Sequence, residues 1–303
     1  MPASGLLARL RLLRFSNFPS PLGDVAAGAA LSSACAGGAP LELPRLGWSL
    51  AASAAVYHAG MALNDWADRA EDRATRPSRP IPSGAVSAGE ALVTGVALLL
   101  LSLAASAIAE NVAIVSALAS VVVLYDLAAP RGSWIGPMLL GLARALNFTL
   151  GLSVAKAQPS LFELPWPLAA GPTLVAAAYG AYVAGISVFA LAEDRPWSRG
   201  RAWVAAALCL SALAAGAAAL LRDTGSSAST LLWCVLLEPL SVILGPPRPW
   251  TPERIGQLVG AGLRGTLVFQ ACVAASAGAS AIAAALGAGY LAARWLARWI
   301  PPT

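Results

Sequence analysis

Charge is what this sequence has least of. Asp, Glu, Lys and Arg together make up 12% of its 303 residues, about half of what a soluble globular domain carries. That shortage argues against a water-soluble enzyme and against a disordered chain. Lys156 is the only lysine and His58 the only histidine. The four cysteines, Cys35, Cys209, Cys234 and Cys272, lie singly in apolar stretches with no CxxC spacing. They read as small core residues, which excludes a disulfide framework and a cysteine-based metal site. In place of charge there is hydrophobicity: AVILMFWYC supply 58% of the residues and the mean hydropathy is +0.69. The chain reads as an all-α, multi-pass transmembrane helical bundle.

A helix needs about 20 apolar residues to cross a bilayer. On that measure spans are expected near 18–36, 46–66, 87–108, 111–129, 133–155, 168–192, 202–221, 229–245, 256–275 and 278–298, all within one membrane-embedded domain covering residues 1–303. The last two adjoin at Gly278 and read either as a tight hairpin or as one long bent helix, giving nine to ten helices. Loop charge sets the expected orientation. With Arg9, Arg11 and Arg14 inside, ten further arginines from Arg69 to Arg254 also fall in inside loops, against Arg45, Lys156 and Arg222 outside. The N-terminus is therefore expected on the cytoplasmic side of the cell (inner) membrane. No long apolar core with a cleavage site occupies the first sixteen residues, so a removable signal peptide is not expected. A pI near 9.4 without a basic face between such long apolar runs gives no reason to expect nucleic acid as a partner. Alanine, glycine and serine crowd every span, which reads either as close helix packing or as a GC-rich coding bias.

The most informative segment follows the second span: Asn64-Asp65-Trp66-Ala67-Asp68-Arg69-Ala70-Glu71-Asp72. If the helix continues, Asp65, Asp68 and Asp72 share one face, about one turn apart. Like charges in a row repel unless a cation lies between them, and carboxylate oxygens suit Mg²⁺, which is usually held by one or two carboxylates plus substrate phosphates. The alternative is a solvated helix end tied by i, i+4 pairs from Asp65 to Arg69 and from Asp72 to Arg76. The following loop, Arg76-Pro77-Ser78-Arg79-Pro80-Ile81-Pro82-Ser83-Gly84, is stiffened by prolines. Its two arginines offer planar forks suited to phosphate. Carboxylates for a metal beside arginines for an anion make a diphosphate site chemically sensible.

Within the spans, ionisable residues are functional candidates because burying them in lipid is costly. Arg144 and Asn147, three residues apart, share a face of the fifth span and read either as lining a polar cavity or as a polar contact between helices. Glu238 precedes Pro239 and is expected to bond the backbone freed at a kink. Asp24 is open to either reading, and His58 reads as a packed polar residue.

Asn64-Asp65-x-x-Asp68-x-x-x-Asp72 followed by Arg79-Pro80-Ile81-Pro82-Ser83-Gly84 resembles the first motif of the UbiA superfamily of intramembrane prenyltransferases. Asn17 matches an asparagine of that family, and Arg144-Ala145-Leu146-Asn147 resembles its EboC-like branch. The resemblance implies a ring of membrane helices around a cavity open to the bilayer. It also implies Mg²⁺-dependent transfer of a prenyl group from a prenyl diphosphate to a small aromatic or lipid-like acceptor. Asn64, Asp65, Asp68 and Asp72 would form the first acidic site. Arg76, Arg79 and Arg144 would steady the leaving group, with Asn17 and Asn147 also on the substrate. The family's second motif, Asp-x-x-x-Asp, is represented only by Glu193-Asp194, since the fourth residues on are Trp197 and Ser198. Glu193 and Asp194 would hold metal from the far side. Where relatives carry a tyrosine followed four residues later by lysine, Tyr125 is followed by Ala129, leaving Arg131 to reach the same anion. The halved second motif also fits a second reading, a weakly catalytic or inactive relative that binds, presents or moves a polyprenyl lipid. A small-solute transporter would explain the spans but not the Asn64–Gly84 pattern.

Overall fold

A computed structural model describes residues 5–128, 133–155, 171–191, 199–244 and 251–296. Among the described residues there is no strand. Helix α1 (Gly5–Leu12) and a 3-10 turn (Phe15–Asn17) lead into α2 (Pro19–Cys35), α3 (Leu43–Ala67) and the short α4 (Arg69–Thr75). There follow α5 (Ala88–Ile108), α6 (Val112–Ala128), α7 (Ile135–Leu152), α8 (Pro172–Ala190) and α9 (Arg199–Thr224). A 3-10 segment (Ser227–Leu236) continues into α10 (Leu237–Ile243), and α11 (Pro252–Ser276) and α12 (Ser280–Leu296) close the chain. Nine of the ten expected spans each coincide with one of these helices, and the span near 229–245 falls on the 3-10 segment and α10 together. The protein is a multi-pass membrane protein; α5, α7, α8, α9 and α11 are each long and apolar enough to cross a bilayer.

Local signals set the helix ends. Ser87 accepts from the Glu90 backbone N–H at 3.0 Å and starts α5, in the Ser-x-x-Glu pattern that caps a helix with side chain and acid together. Proline sits in the first turn of α2, α3 and α8, where the missing N–H costs no hydrogen bond. Gly278, at φ +74°, adopts the left-handed conformation that ends α11, so the last two spans form a tight hairpin and not one bent helix.

Burial separates an inner from an outer set of helices. Helix α5 turns Val93, Leu100, Leu101 and Ile108 outward. Helix α8 buries most of its length, with Tyr179 and Tyr182 packed on Phe148 of α7 and Phe269 of α11. Helices α2, α7, α8 and α11 pack against one another at the centre, with α3 and α6 against α7 on one side. Small residues make these approaches possible. A Cβ on Gly28 would strike the Phe148 carbonyl, one on Gly151 the Val25 carbonyl, and one on Gly141 would lie 2.5 Å from the Gly180 carbonyl. Close packing therefore accounts for at least these glycines.

Glu238 departs from expectation. Its Oε1 accepts from Arg264 Nε at 2.9 Å and Nη2 at 2.5 Å, and its Oε2 accepts from Tyr290 at 2.9 Å. The acid joins α10, α11 and α12 instead of serving a kinked backbone, because a guanidinium is a far better partner for a half-buried carboxylate than a freed amide.

Candidate functional site

Helix α3 carries the acidic segment to one end of the bundle. Asp68 caps α3 and α4 begins at the next residue. The hydrogen bonds from Asp68 N to Asn64 O and from Asp72 N to Asp68 O, both 2.9 Å, nonetheless continue the helical pattern through the joint. Asp65 and Asp72 are each 2% exposed, while Asp68 is partly exposed.

The loop after α4 folds over these carboxylates. Ser83 N bonds Arg79 O at 3.0 Å, Val86 N bonds Pro80 O at 3.0 Å, and Gly84 turns the chain at φ +75°. Ile81 and Val86 then pack on Ala62 of α3 and on Ala8 and Leu12 of α1. This packing buries Arg79, whose Nη1 donates to Asp72 Oδ2 at 2.8 Å and lies 3.6 Å from Asp65 Oδ1. Arg14 approaches from the other side. It sits between α1 and the 3-10 turn at φ +46°, a conformation that costs a non-glycine residue about 1–2 kcal/mol. Its Nη2 donates to Asn64 Oδ1 at 3.4 Å and lies 3.5 Å from Asp65 Oδ1.

The three carboxylates are therefore not gathered into one ligand set. Among the described residues, no three Asp, Glu, His or Cys side chains come together as a metal cage. Asp72 is turned toward Arg79, because a buried carboxylate takes the nearest strong donor when one is available. The alternative i, i+4 pairs do not form either. Arg69 donates to the Trp66 carbonyl at 2.6 Å and lies 4.5 Å over its ring, and Arg76 is exposed. Unfilled acceptors remain: both oxygens of Asp65 and Oδ2 of Asp126 are buried with no hydrogen-bond partner. Orphaned carboxylate oxygens of this kind fit a divalent cation held by one or two carboxylates and completed by substrate oxygens.

Asp126, near the end of α6, was not singled out by sequence reasoning, although a lone acid in an apolar run is a signal in itself. It hydrogen-bonds Asn64 and lies in the field of Asp68, Arg14 and Asp65. Its neighbour Tyr125 also lies in the field of Asp126, Arg14 and Asp68. Arg14 was read as an orienting charge only; its position three residues before Asn17 was the available clue. The Tyr57 hydroxyl lies against Asn17. His58 is the packed polar residue expected, donating from Nδ1 to the Leu13 carbonyl at 2.9 Å and stacking on Phe15 and Phe18.

Arg144 and Asn147 lie in a second polar cluster, centred on Asp24. Asp24 accepts from Arg144 Nη2 at 3.0 Å, Asn147 Nδ2 at 2.8 Å and Gln270 Nε2 at 2.6 Å. Arg144 also donates to Tyr179 and to Ser20 Oγ, each at 2.6 Å. Arg131, Glu193 and Asp194 lie outside the described residues.

Comparison with known proteins agrees with this architecture. The model of the UbiA prenyltransferase family matches residues 25–195, more than half of the chain, and the chain belongs to that family. A digeranylgeranylglyceryl phosphate synthase of Ignicoccus hospitalis is 41% identical over 102 residues, which cover 33% of this chain and 31% of that protein. The match thus spans about a third of that relative's length. A UbiA homologue from Aeropyrum pernix K1, solved in its apo form, superposes with a TM-score of 0.63 at 22% identity, covering 86% of this chain and 97% of that one. A UbiA homologue from Archaeoglobus fulgidus, solved with DMAPP and Mg²⁺, superposes with a TM-score of 0.57 at 19% identity, covering 89% and 99%. At these identities the two structures establish the fold.

Proposed function

We propose that this member of the UbiA prenyltransferase family transfers a prenyl group from a prenyl diphosphate to an acceptor within the membrane, with Mg²⁺ at the Asp65 end of the bundle. The observation that carries the reading is the pair of buried Asp65 oxygens without hydrogen bonds, flanked by Arg14 and Arg79. Buried acceptors beside fixed cations make a site for a metal-bound anion, and the A. fulgidus homologue was solved with such a ligand and Mg²⁺. When bound, Mg²⁺ neutralises the charge that develops on the departing diphosphate.

In this reading Asp65 and Asp68 supply oxygens to the metal and Asn64 holds Arg14 in register. Arg14 and the exposed Arg76 face the leaving group. Arg79 keeps Asp72 and the loop in place. Fixed donors and charges of this kind, in a water-poor site, stabilise the transition state without reorganising. Glu193, Asp194 and Arg131 are proposed to approach the same anion, as the family resemblance implies. The acceptor is proposed to be small and aromatic or lipid-like; similarity to a digeranylgeranylglyceryl phosphate synthase favours the lipid-like class. The EboC-like branch rests on Arg144-Ala145-Leu146-Asn147. The N-terminus is proposed to face the cytoplasm, and residues 1–303 to act as one domain.

The test is diphosphate release from labelled prenyl diphosphates by the purified protein, with and without Mg²⁺, beside Asp68→Ala. Metal-dependent release that is lost in the variant supports a working transferase. Mg²⁺-dependent binding of the lipid without release would overturn it in favour of a carrier.

A further inference from the structure

Arg144 is a charge held among the central helices, and all of its hydrogen bonds leave from a single nitrogen. Nη2 lies 2.6 Å from Ser20 Oγ, 2.6 Å from the Tyr179 hydroxyl, 3.0 Å from Asp24 Oδ1 and 3.3 Å from the Ser20 carbonyl. Nε and Nη1 keep the remaining N–H donors of the guanidinium. They make no hydrogen bond among the described residues, and neither is enclosed. The side chain is 14% exposed, and that opening faces inward. Gly141, Asn147 and Phe148, a turn to either side on the same face of α7, are buried. Ser20 of α2 and Tyr179 of α8 flank the guanidinium, while the exposed Met138 and Leu142 lie on the other side of α7. Asp24 does not use up the charge either, since its Oδ1 is shared with Gln270 and its Oδ2 accepts from Asn147. An intramembrane arginine with open donors belongs to a polar recess, and oxyanions are the strongest acceptors for such donors.

This recess is set apart from the Asp65 end. Arg14 reaches Asp65 and Ser20 holds Arg144. The chain between them runs through the 3-10 turn into α2, and at about 1.5–2 Å per residue it covers about 9–12 Å. A diphosphate beside Arg14 and Arg79 leaves Arg144 free, whereas an acceptor that attacks the prenyl carbon has room to span the interval. We propose that Arg144 is an acceptor-binding residue: its Nε and Nη1 hydrogens hold an oxyanion, a phosphate or a carboxylate, carried by the prenyl acceptor. Asp24, Ser20 and Tyr179 fix Nη2 and so aim the open donors. This takes Arg144 off the leaving group, where the family resemblance had set it. The inference rests on the transferase reading of the Asp65 end.

The test measures binding by calorimetry to the full chain in detergent, with Mg²⁺ and inorganic pyrophosphate present to occupy the Asp65 end. Octyl phosphate probes a lipid-like acceptor and benzoate an aromatic one, with octanol and benzamide as their neutral controls. Wild type is expected to bind at least one of the two anions more tightly than its control. Arg144→Lys keeps a positive charge beside Asp24 but loses the Nε and Nη1 donors. It is expected to weaken that binding by about tenfold or more, the scale of a hydrogen bond to a charged group, and to leave the neutral control unchanged. Folding of each variant is checked by size-exclusion and thermal melting. Asp24→Asn/Arg144→Gln, which strands no charge, is read in the same way should the lysine variant fail to fold. Equal anion binding in wild type and variant, or binding of neither anion to wild type, would overturn the assignment. Mg²⁺-dependent diphosphate release, measured on the same wild-type preparation, decides the proposed function separately: release without anion binding overturns the Arg144 assignment alone, and absence of release overturns the transferase reading on which it rests.

Discussion

Asp24 and Asp65 are both buried aspartates in helices of the bundle, each beside arginine, yet they are treated oppositely. Asp24 is fully enclosed, and Arg144, Asn147 and Gln270 donate to it from α7 and α11 at 2.6–3.0 Å. Asp65 is almost as deeply buried, but its arginines stand at 3.5 and 3.6 Å and neither of its oxygens is hydrogen-bonded. A buried carboxylate whose lone pairs are filled by protein donors is a tie between helices. One whose lone pairs are left empty beside held cations has the electrostatics of a binding site. Burial does not distinguish the two acids; the filling of their lone pairs does.

The largest expected effect breaks the first member of the pair. Asp24→Ala leaves the Arg144 guanidinium buried without its counter-charge, and removing one partner of such a pair costs about 3–5 kcal/mol. The expected outcome is a large loss of folded protein, read by thermal melting in detergent. A double variant Asp24→Ala/Arg144→Met is expected to recover part of that loss, because the stranded charge is gone. If the single variant melts like wild type, Asp24 is not the tie described.

Much of the architecture was legible because the bilayer imposes a length and a hydropathy on each span, and both can be read in one dimension. The motif from Asn64 to Gly84 was legible for a related reason: its residues are neighbours in sequence, and helical spacing sets their face. The Asp24 cluster was not, since its donors lie 123 and 246 residues away on α7 and α11. Asp126 was missed on the same ground, being brought to α3 beside Gly60, where a Cβ would lie 3.7 Å from its Oδ2. The turn of Asp72 toward Arg79 could not be read from spacing, because it depends on Ile81 and Val86 drawing the loop onto α1 and α3.

A smaller effect gives the scale on which both acids are judged. Ser32 of α2 donates to the Leu152 carbonyl of α7 at 2.8 Å, in a fully buried contact with no charge. Side-chain hydrogen bonds between membrane helices average about 0.6 kcal/mol. Ser32→Ala is expected to lower stability by about that amount, measured on the same melting scale. A loss as large as that of Asp24→Ala would mean that the α2–α7 contact as a whole, and not the charge, governs the first comparison.

The smallest effect on stability is expected at Asp65, and it is the sharpest test of the contrast. Asp65→Asn keeps the shape of the side chain and removes a charge whose burial no hydrogen bond offsets. Losing that charge relieves desolvation. It also removes an attraction to Arg14 and Arg79 at 3.5–3.6 Å, but Arg79 retains Asp72 at 2.8 Å and Arg14 retains Asn64. The two changes oppose each other, and Arg14, left with a neutral partner, is 22% exposed and stays within reach of water, so stability is expected to stay within about 1 kcal/mol of wild type. Metal-dependent diphosphate release is expected to fall by about tenfold or more in the same variant, the scale of losing a group that serves a metal. Stability lost together with activity would make Asp65 a second Asp24, a tie between elements, and would dissolve the distinction drawn between them.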